Sequence, residues 1–175
     1  MASKKAYIIT SITLGAIATF SAGLIGLANL ITKDRIVENE KNKVENGIKE
    51  IFGNDSMISS QSSLSDYKYL TDSFVVNKNE SEDVLGYAYR TSGSNSYGKI
   101  SLIVGFKATD FSFIGLSIVV NEQTYASTLE DNYLTPLNEW DRKLEDVTCG
   151  ATFGAKLVRD MINEASDTVK EMWKE

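Results

Sequence analysis

The chain of 175 residues has no histidine, one cysteine and one proline. Without histidine, imidazole acid–base catalysis, histidine metal ligation and histidine-based pH switching are excluded. A single cysteine, Cys149, allows neither an internal disulfide nor a thiolate metal cluster. Positive charge is also short, with 18 Lys+Arg against 24 Asp+Glu and a net charge of −6. Such a chain lacks the electrostatic footprint of a nucleic-acid-binding protein, so no nucleic-acid partner is expected. One proline and 42% hydrophobic residues argue against a disordered or collagen-like chain and for a packed core. The length suits one ordinary domain with an accessory segment. Any chemistry must rest on carboxylates, hydroxyls, one thiol or a bound cofactor, and no metal site is expected.

The missing charges are unevenly placed. Between Lys5 and Lys33 lie 27 residues without a charged side chain. As a helix rising about 1.5 Å per residue they reach roughly 40 Å, enough to cross a hydrocarbon core of about 30 Å. A secretory signal has a shorter apolar region before its cleavage site, and buried helices of soluble proteins are usually shorter too. Residues 1–33 therefore read as a single transmembrane anchor. Gly15, Gly23 and Gly26, with Ser11, Thr13 and Ser21, offer small surfaces for packing against other membrane helices. Positive residues flank both ends, so charge alone does not set the orientation. Beyond Lys33 lie 15 of the 18 basic and all 24 acidic side chains, making residues 34–175 an acidic globule of net charge −9.

That globule reads as one α+β domain. Ile36, Val37, Val44, Ile48, Ile51 and Phe52 are spaced for one helical face, and Gly53-Asn54-Asp55 supplies a stop. The Ser-rich stretch 56–66 reads as a loop. Strands are expected at Lys68–Val76, Val84–Tyr89, Lys99–Phe106 and Phe113–Val120, rich in Val, Ile, Tyr and Phe. Asn77-Lys78-Asn79 and Thr91-Ser92-Gly93-Ser94-Asn95 read as turns between them. The last two strands should pair antiparallel around Ala108-Thr109-Asp110. A final helix from about Phe153 to Trp173 carries Val158, Met161, Ile162, Ala165, Val169 and Met172 on one face.

Chemistry is most concentrated in Asp146-Val147-Thr148-Cys149-Gly150-Ala151-Thr152-Phe153-Gly154-Ala155, where small residues precede a hydroxyl at the mouth of the last helix. One reading makes Thr152 an N-cap. A second places a phosphate on the backbone N–H groups of Phe153, Gly154 and Ala155, at the positive helix end, with Gly150 and Ala151 leaving room for a bulky group. The two are compatible. A reactive thiolate at Cys149 is a third idea, but the chain offers no histidine base and no second cysteine to resolve it.

At these residues the chain resembles the FMN-binding domain family, whose flavin is attached covalently to a threonine. Asp146, Gly150, Ala151 and Thr152 follow the family signature in order, with Cys149 at a position usually held by serine. Gly98-Lys99-Ile100-Ser101-Leu102-Ile103-Val104-Gly105-Phe106 and Ile114-Gly115-Leu116 are similar to the family's strands. Thr32-Lys33-Asp34-Arg35-Ile36 looks like the same point in the G subunit of Rnf electron-transport complexes. The family commonly has Glu-Thr-Pro-Gly-x-Gly near the flavin, where this chain has Gln123-Thr124-Tyr125-Ala126-Ser127-Thr128. Only the threonine matches, and Tyr125 is left either to stack on the isoalloxazine or to pack as ordinary loop.

The resemblance implies an antiparallel-sheet FMN-binding domain at 34–175 with flanking helices, and FMN in phosphoester linkage to Thr152. Asp146, Thr148, Cys149, Gly150, Ala151, Phe153, Thr124 and Tyr125 are the implied surroundings of the cofactor. No catalytic residue is implied, because the domain holds a redox group rather than performing acid–base chemistry. It further implies maturation by a separate flavin transferase that takes FMN from FAD and releases AMP. The implied partners are other membrane subunits of an electron-transport complex. Such a complex passes electrons between ferredoxin and NAD, coupled to ion transport, with the flavin domain on the extracytoplasmic side of the cytoplasmic membrane. Two alternatives stand beside this reading: the C subunit of a sodium-pumping NADH–quinone reductase, a longer relative, and a membrane-tethered binding or sensory domain without cofactor.

Overall fold

The computed structural model describes residues 4–79, 81–138 and 149–173, and divides into two compact units meeting between Lys41 and Asn42. Helix α1 spans Lys4–Phe52. In the first unit, Tyr7–Leu27 forms a stretch of 21 residues with mean hydropathy 1.9, long and apolar enough to cross a membrane. Its isoleucines, leucines and Phe20 lie exposed all round the helix, a surface suited to lipid rather than water. The hydroxyls of Thr13 and Thr19 donate to the carbonyls of Ile9 and Gly15, one turn back.

The second unit is a five-stranded antiparallel sheet in sequence order: β1 Ser56–Ser63, β2 Leu70–Lys78, β3 Val84–Asn95, β4 Gly98–Lys107 and β5 Phe113–Asn121. Short helices α2 (Ala126–Leu129) and α3 (Thr135–Asn138) flank a π-helical turn at Glu130–Leu134, and α4 runs Thr152–Met172. The π turn is marked by Thr135 N–H reaching the Glu130 carbonyl, five residues back. Pro136, lacking an N–H, has nothing to donate to the Asn132 carbonyl, so an ordinary turn is already broken there.

Both faces of the sheet are covered, which explains the near-continuous burial of β4. Ile100, Leu102, Val104 and Phe106 point to one face, where Leu157, Val158, Met161, Ile162, Ala165 and Val169 of α4 complete the larger core with Leu129, Tyr133 and Leu137. Ile103, Phe74, Val76, Ala88 and Val119 point to the other and meet Val44 and Ile48 of α1. The amphipathic faces expected of both helices are thus the buried ones, except that Met172 is 40% exposed. Ile36 and Val37 lie in α1, but their side chains are outside the described ones. Glu164 of α4 accepts the backbone N–H groups of Lys68 and Tyr69 at 2.9 and 2.7 Å, tying the start of β2 to the helix.

Three expected loops are strand instead. Residues 56–63 form the edge strand β1, paired with β2 from Ser56↔Lys78 to Ser63↔Asp72 with a register shift between Ile58 and Ser60. Only Ser56 is buried in it, so backbone pairing holds this strand and its side chains carry no alternating apolar signal. Asn77 and Lys78 remain in β2. Residues 91–95 continue β3, paired through to Asn95↔Gly98. Their small polar side chains fit because α4 lies directly over them: a Cβ on Gly93 would come within 2.9 Å of Leu157. The β4–β5 connection turns at residues 108–110, as expected.

Candidate functional site

The cleft at the N-terminal end of α4 is built from three loops converging on one helix turn. The β3–β4 hairpin contributes Tyr97, the segment after β5 contributes Gln123 and Tyr125, and the start of α4 contributes Gly150 through Gly154, around a volume of about 240 Å³. Local chemistry fixes each piece. Gly150 takes φ +82°, a left-handed conformation that costs a residue with a Cβ. The hairpin tip is held to the β5 exit twice: Thr124 donates its N–H and its hydroxyl to the Tyr97 carbonyl at 2.8 and 3.0 Å. Buried Gln123 donates its side-chain amide to the Gly98 carbonyl. Asn95 accepts the Tyr97 N–H at 2.8 Å and donates to the Phe153 carbonyl at 3.2 Å, linking hairpin to helix.

Thr152 is not the N-cap. Ala151 holds that position, Thr152 is the first helical residue, and among the described residues no side chain caps the helix. The first intrahelical bond runs from the Ala155 N–H to the Ala151 carbonyl. Ala155 is therefore committed, and the amides without a partner among the described residues are those of Thr152, Phe153 and Gly154, one residue earlier than expected. The first turn carries no acidic side chain, so none of its own residues offsets the positive end of this 21-residue helix. Amides uncapped among the described residues, a first turn without an acid and a half-buried Thr152 are the elements of an anion site with a hydroxyl beside it.

Cys149 lies in the larger core, 8% exposed, and its carbonyl accepts from the Asn132 amide at 3.1 Å. It is placed as a packing residue under the cleft rather than as a thiol open to solvent. Asp146 and Thr148 lie outside the described residues. Thr124 serves as a backbone tether, and Tyr125 stands 54% exposed with its ring 6.2 Å from that of Tyr97. Phe153 is 64% exposed and stacks on Tyr97 at 5.4 Å, with 26° between the planes. Tyr97 escapes a reading by motif because it comes from the hairpin tip, with Gly98-Lys99-Ile100 beside it as the available signal, whereas Gln123 heads the segment already compared with the family's flavin-site stretch.

The Tyr133 hydroxyl is buried without a hydrogen-bond partner among the described residues, and burial pushes its phenol up to about 12. It belongs to the π turn, whose altered backbone leaves the ring filling core while its oxygen finds no acceptor.

An FMN group is compatible with the described residues: the three unpartnered amides suit a phosphate, the half-buried Thr152 lining the cleft suits a covalent link, and the exposed rings suit a flat aromatic body. Among curated proteins, none matches this chain. Residues 1–51 match the family model of the RnfG N-terminal region, and over that part the chain is similar to the RnfG subunit of Rnf complexes.

Proposed function

We propose that this chain is a membrane-anchored electron-carrier subunit of an Rnf-type ferredoxin–NAD oxidoreductase, with FMN joined through its phosphate to Thr152. The similarity of residues 1–51 to the RnfG N-terminal region supports an Rnf-type subunit. The observation that carries the flavin reading is the uncapped first turn of α4, with Thr152 lining the cleft beside it. In this reading Tyr7–Leu27 is the anchor in the cytoplasmic membrane and the domain lies on the extracytoplasmic side, among the other membrane subunits.

The bound flavin supplies one- and two-electron transfer, for which the protein needs no acid or base of its own. Attachment forms a bond from Thr152 Oγ to the FMN phosphorus of FAD, breaks the bond between the two phosphates, and releases AMP. The hydroxyl proton passes to the transferase that performs the step. The chain's own contribution is placement. Gly150, by its left-handed turn, opens the approach to Thr152, and the amides of Thr152, Phe153 and Gly154 hold the phosphate charge. Asp146 and Thr148 complete the segment that the transferase recognises.

The test is intact mass of the full chain co-expressed with a flavin transferase, followed by peptide mapping across Asp146–Lys156. The expected gain equals FMN less one water, located on Thr152. Thr152→Ala should abolish it while changing stability by no more than about 0.5 kcal/mol, since the side chain caps nothing. An unmodified Thr152 beside an active transferase would overturn the proposal, leaving a tethered binding domain without cofactor.

A further inference from the structure

Three aromatic rings on three different elements meet at the mouth of the cleft and remain open to solvent: Tyr97 at 38%, Tyr125 at 54% and Phe153 at 64% exposure. Scattered exposed aromatics need no explanation, but contiguous ones that are also fixed in place mark a binding surface. These are fixed. The Tyr97 carbonyl receives both donors of Thr124, and Asn95 bonds to Tyr97 on one side and to Phe153 on the other. The Tyr97 and Phe153 rings are already stacked, with Tyr125 tilted at 48° to Tyr97. Burying a flat partner here orders few new side-chain torsions, which is the energetic advantage of preorganisation.

Resting on the attachment at Thr152, we propose that Tyr97, Tyr125 and Phe153 form the platform on which the isoalloxazine of the tethered flavin lies. The occupant follows from position. Phe153 is the residue after Thr152, so any aromatic group tethered at that hydroxyl is delivered to these rings. Offset stacking of ring on ring contributes about 0.5–1.5 kcal/mol per pair beyond buried area, enough to populate a held state over a swinging one. The loop without the family's glycines and proline then gains a role, because Tyr125 supplies a ring where a bare backbone would otherwise stand. A ring held at the cleft mouth keeps one side open, from which a redox partner can approach.

The experiment uses the full chain in detergent, flavinylated by co-expression and checked by mass. Flavin emission and time-resolved anisotropy are compared for wild type, Tyr97→Phe/Tyr125→Phe, and Tyr97→Leu/Tyr125→Leu/Phe153→Leu. Phenol rings in contact with an isoalloxazine quench its emission. The wild type should therefore be dim, with anisotropy that decays only as the whole particle tumbles. The Phe pair should brighten several-fold while keeping slow anisotropy, because the platform remains and the quencher is gone. The Leu triple should brighten and acquire a fast depolarising component. Equal brightness and equal anisotropy across all three, each carrying one FMN on Thr152, overturns the platform and leaves the rings to a protein partner. A wild type without FMN on Thr152 overturns the attachment, and the platform with it.

Discussion

Replacing Gly98 by alanine should be among the most damaging single changes outside the core, and Gly53→Ala supplies its control. Both glycines have positive φ, +134° and +96°. An L-residue forced into that region loses about 1–2 kcal/mol. At Gly53, just past α1, nothing lies within 4 Å of an added Cβ, so the conformational cost is the whole cost. At Gly98 the Cβ would stand 2.0 Å from the Glu122 carbonyl oxygen and 2.7 Å from its carbon. Both are backbone atoms with no rotamer to yield. The β5 exit must therefore move off the hairpin by more than 1 Å to reach ordinary contact. That strains the Glu122 N–H to Lys99 carbonyl bond at 2.8 Å and the Gln123 bond to the Gly98 carbonyl. Each is worth about 0.5–1.5 kcal/mol net. Gly98→Ala should then cost about 3–4 kcal/mol against about 1–2 for Gly53→Ala. Urea titration of the full chain in mild detergent, followed by tryptophan emission, measures both, and Trp173 stacked on Tyr87 at 4.4 Å is a local reporter. A Gly98→Ala variant no less stable than Gly53→Ala would refute the argument that hairpin and β5 exit are locked backbone to backbone.

The Tyr133 hydroxyl, unpartnered among the described residues, makes Tyr133→Phe a stabilising change, by about 1 kcal/mol or more, because it removes a desolvated polar group without leaving a cavity; a loss of stability in the same titration would mean the hydroxyl has a partner. Alkaline pH should weaken the fold from about 10 upward. Burial holds Tyr89 up at about 12 against an ordinary 10, and Tyr133 likewise. Between those values the unfolded chain has released protons that the folded chain retains, so stability is full below 10 and falls as pH rises through 12. Tyrosinate absorbance should show a late step near 12 that shrinks by one phenol in Tyr133→Phe; the absence of that late step would contradict the burial argument.

The legible part of the fold is where side chains carry the energy. The β4 run Ile100–Phe106 and the Val158–Val169 stripe announce themselves because burial against a neighbour selects apolar residues at period 2 or 3.6. β1 and the end of β3 are illegible for the opposite reason. β1 is held by backbone ladder bonds on an exposed edge, which impose little on Ser59, Ser60, Ser62 and Ser63. Gly93 sits under α4, where the constraint is to be small, and a small polar run reads as a turn. The site divides the same way. Gly150-Ala151-Thr152 is local, so its order along the chain displays it, although the cap falls one residue earlier than composition suggests. Tyr97 joins the cleft through a hairpin more than fifty residues before Thr152, and no spacing rule links the two.

The composition of the cleft bears on what it can do to any group it holds. Its lining is Tyr97, Gln123, Tyr125, Leu129 and the run Gly150–Gly154. Among these described residues there is no Asp, Glu, Lys, Arg or His side chain. The field inside comes from fixed dipoles: the open amides of the α4 first turn and the Gln123 side chain, held by Gly98. Fixed dipoles do not titrate, so their stabilisation of a phosphate, or of negative charge on a stacked ring, stays constant across the neutral range, whereas a histidine would switch it. A position that must pass electrons without coupling them to its own protonation is served by such a lining. The lack of histidine and the uncapped helix are then two sides of one electrostatic arrangement, in which backbone geometry does what titratable side chains do elsewhere.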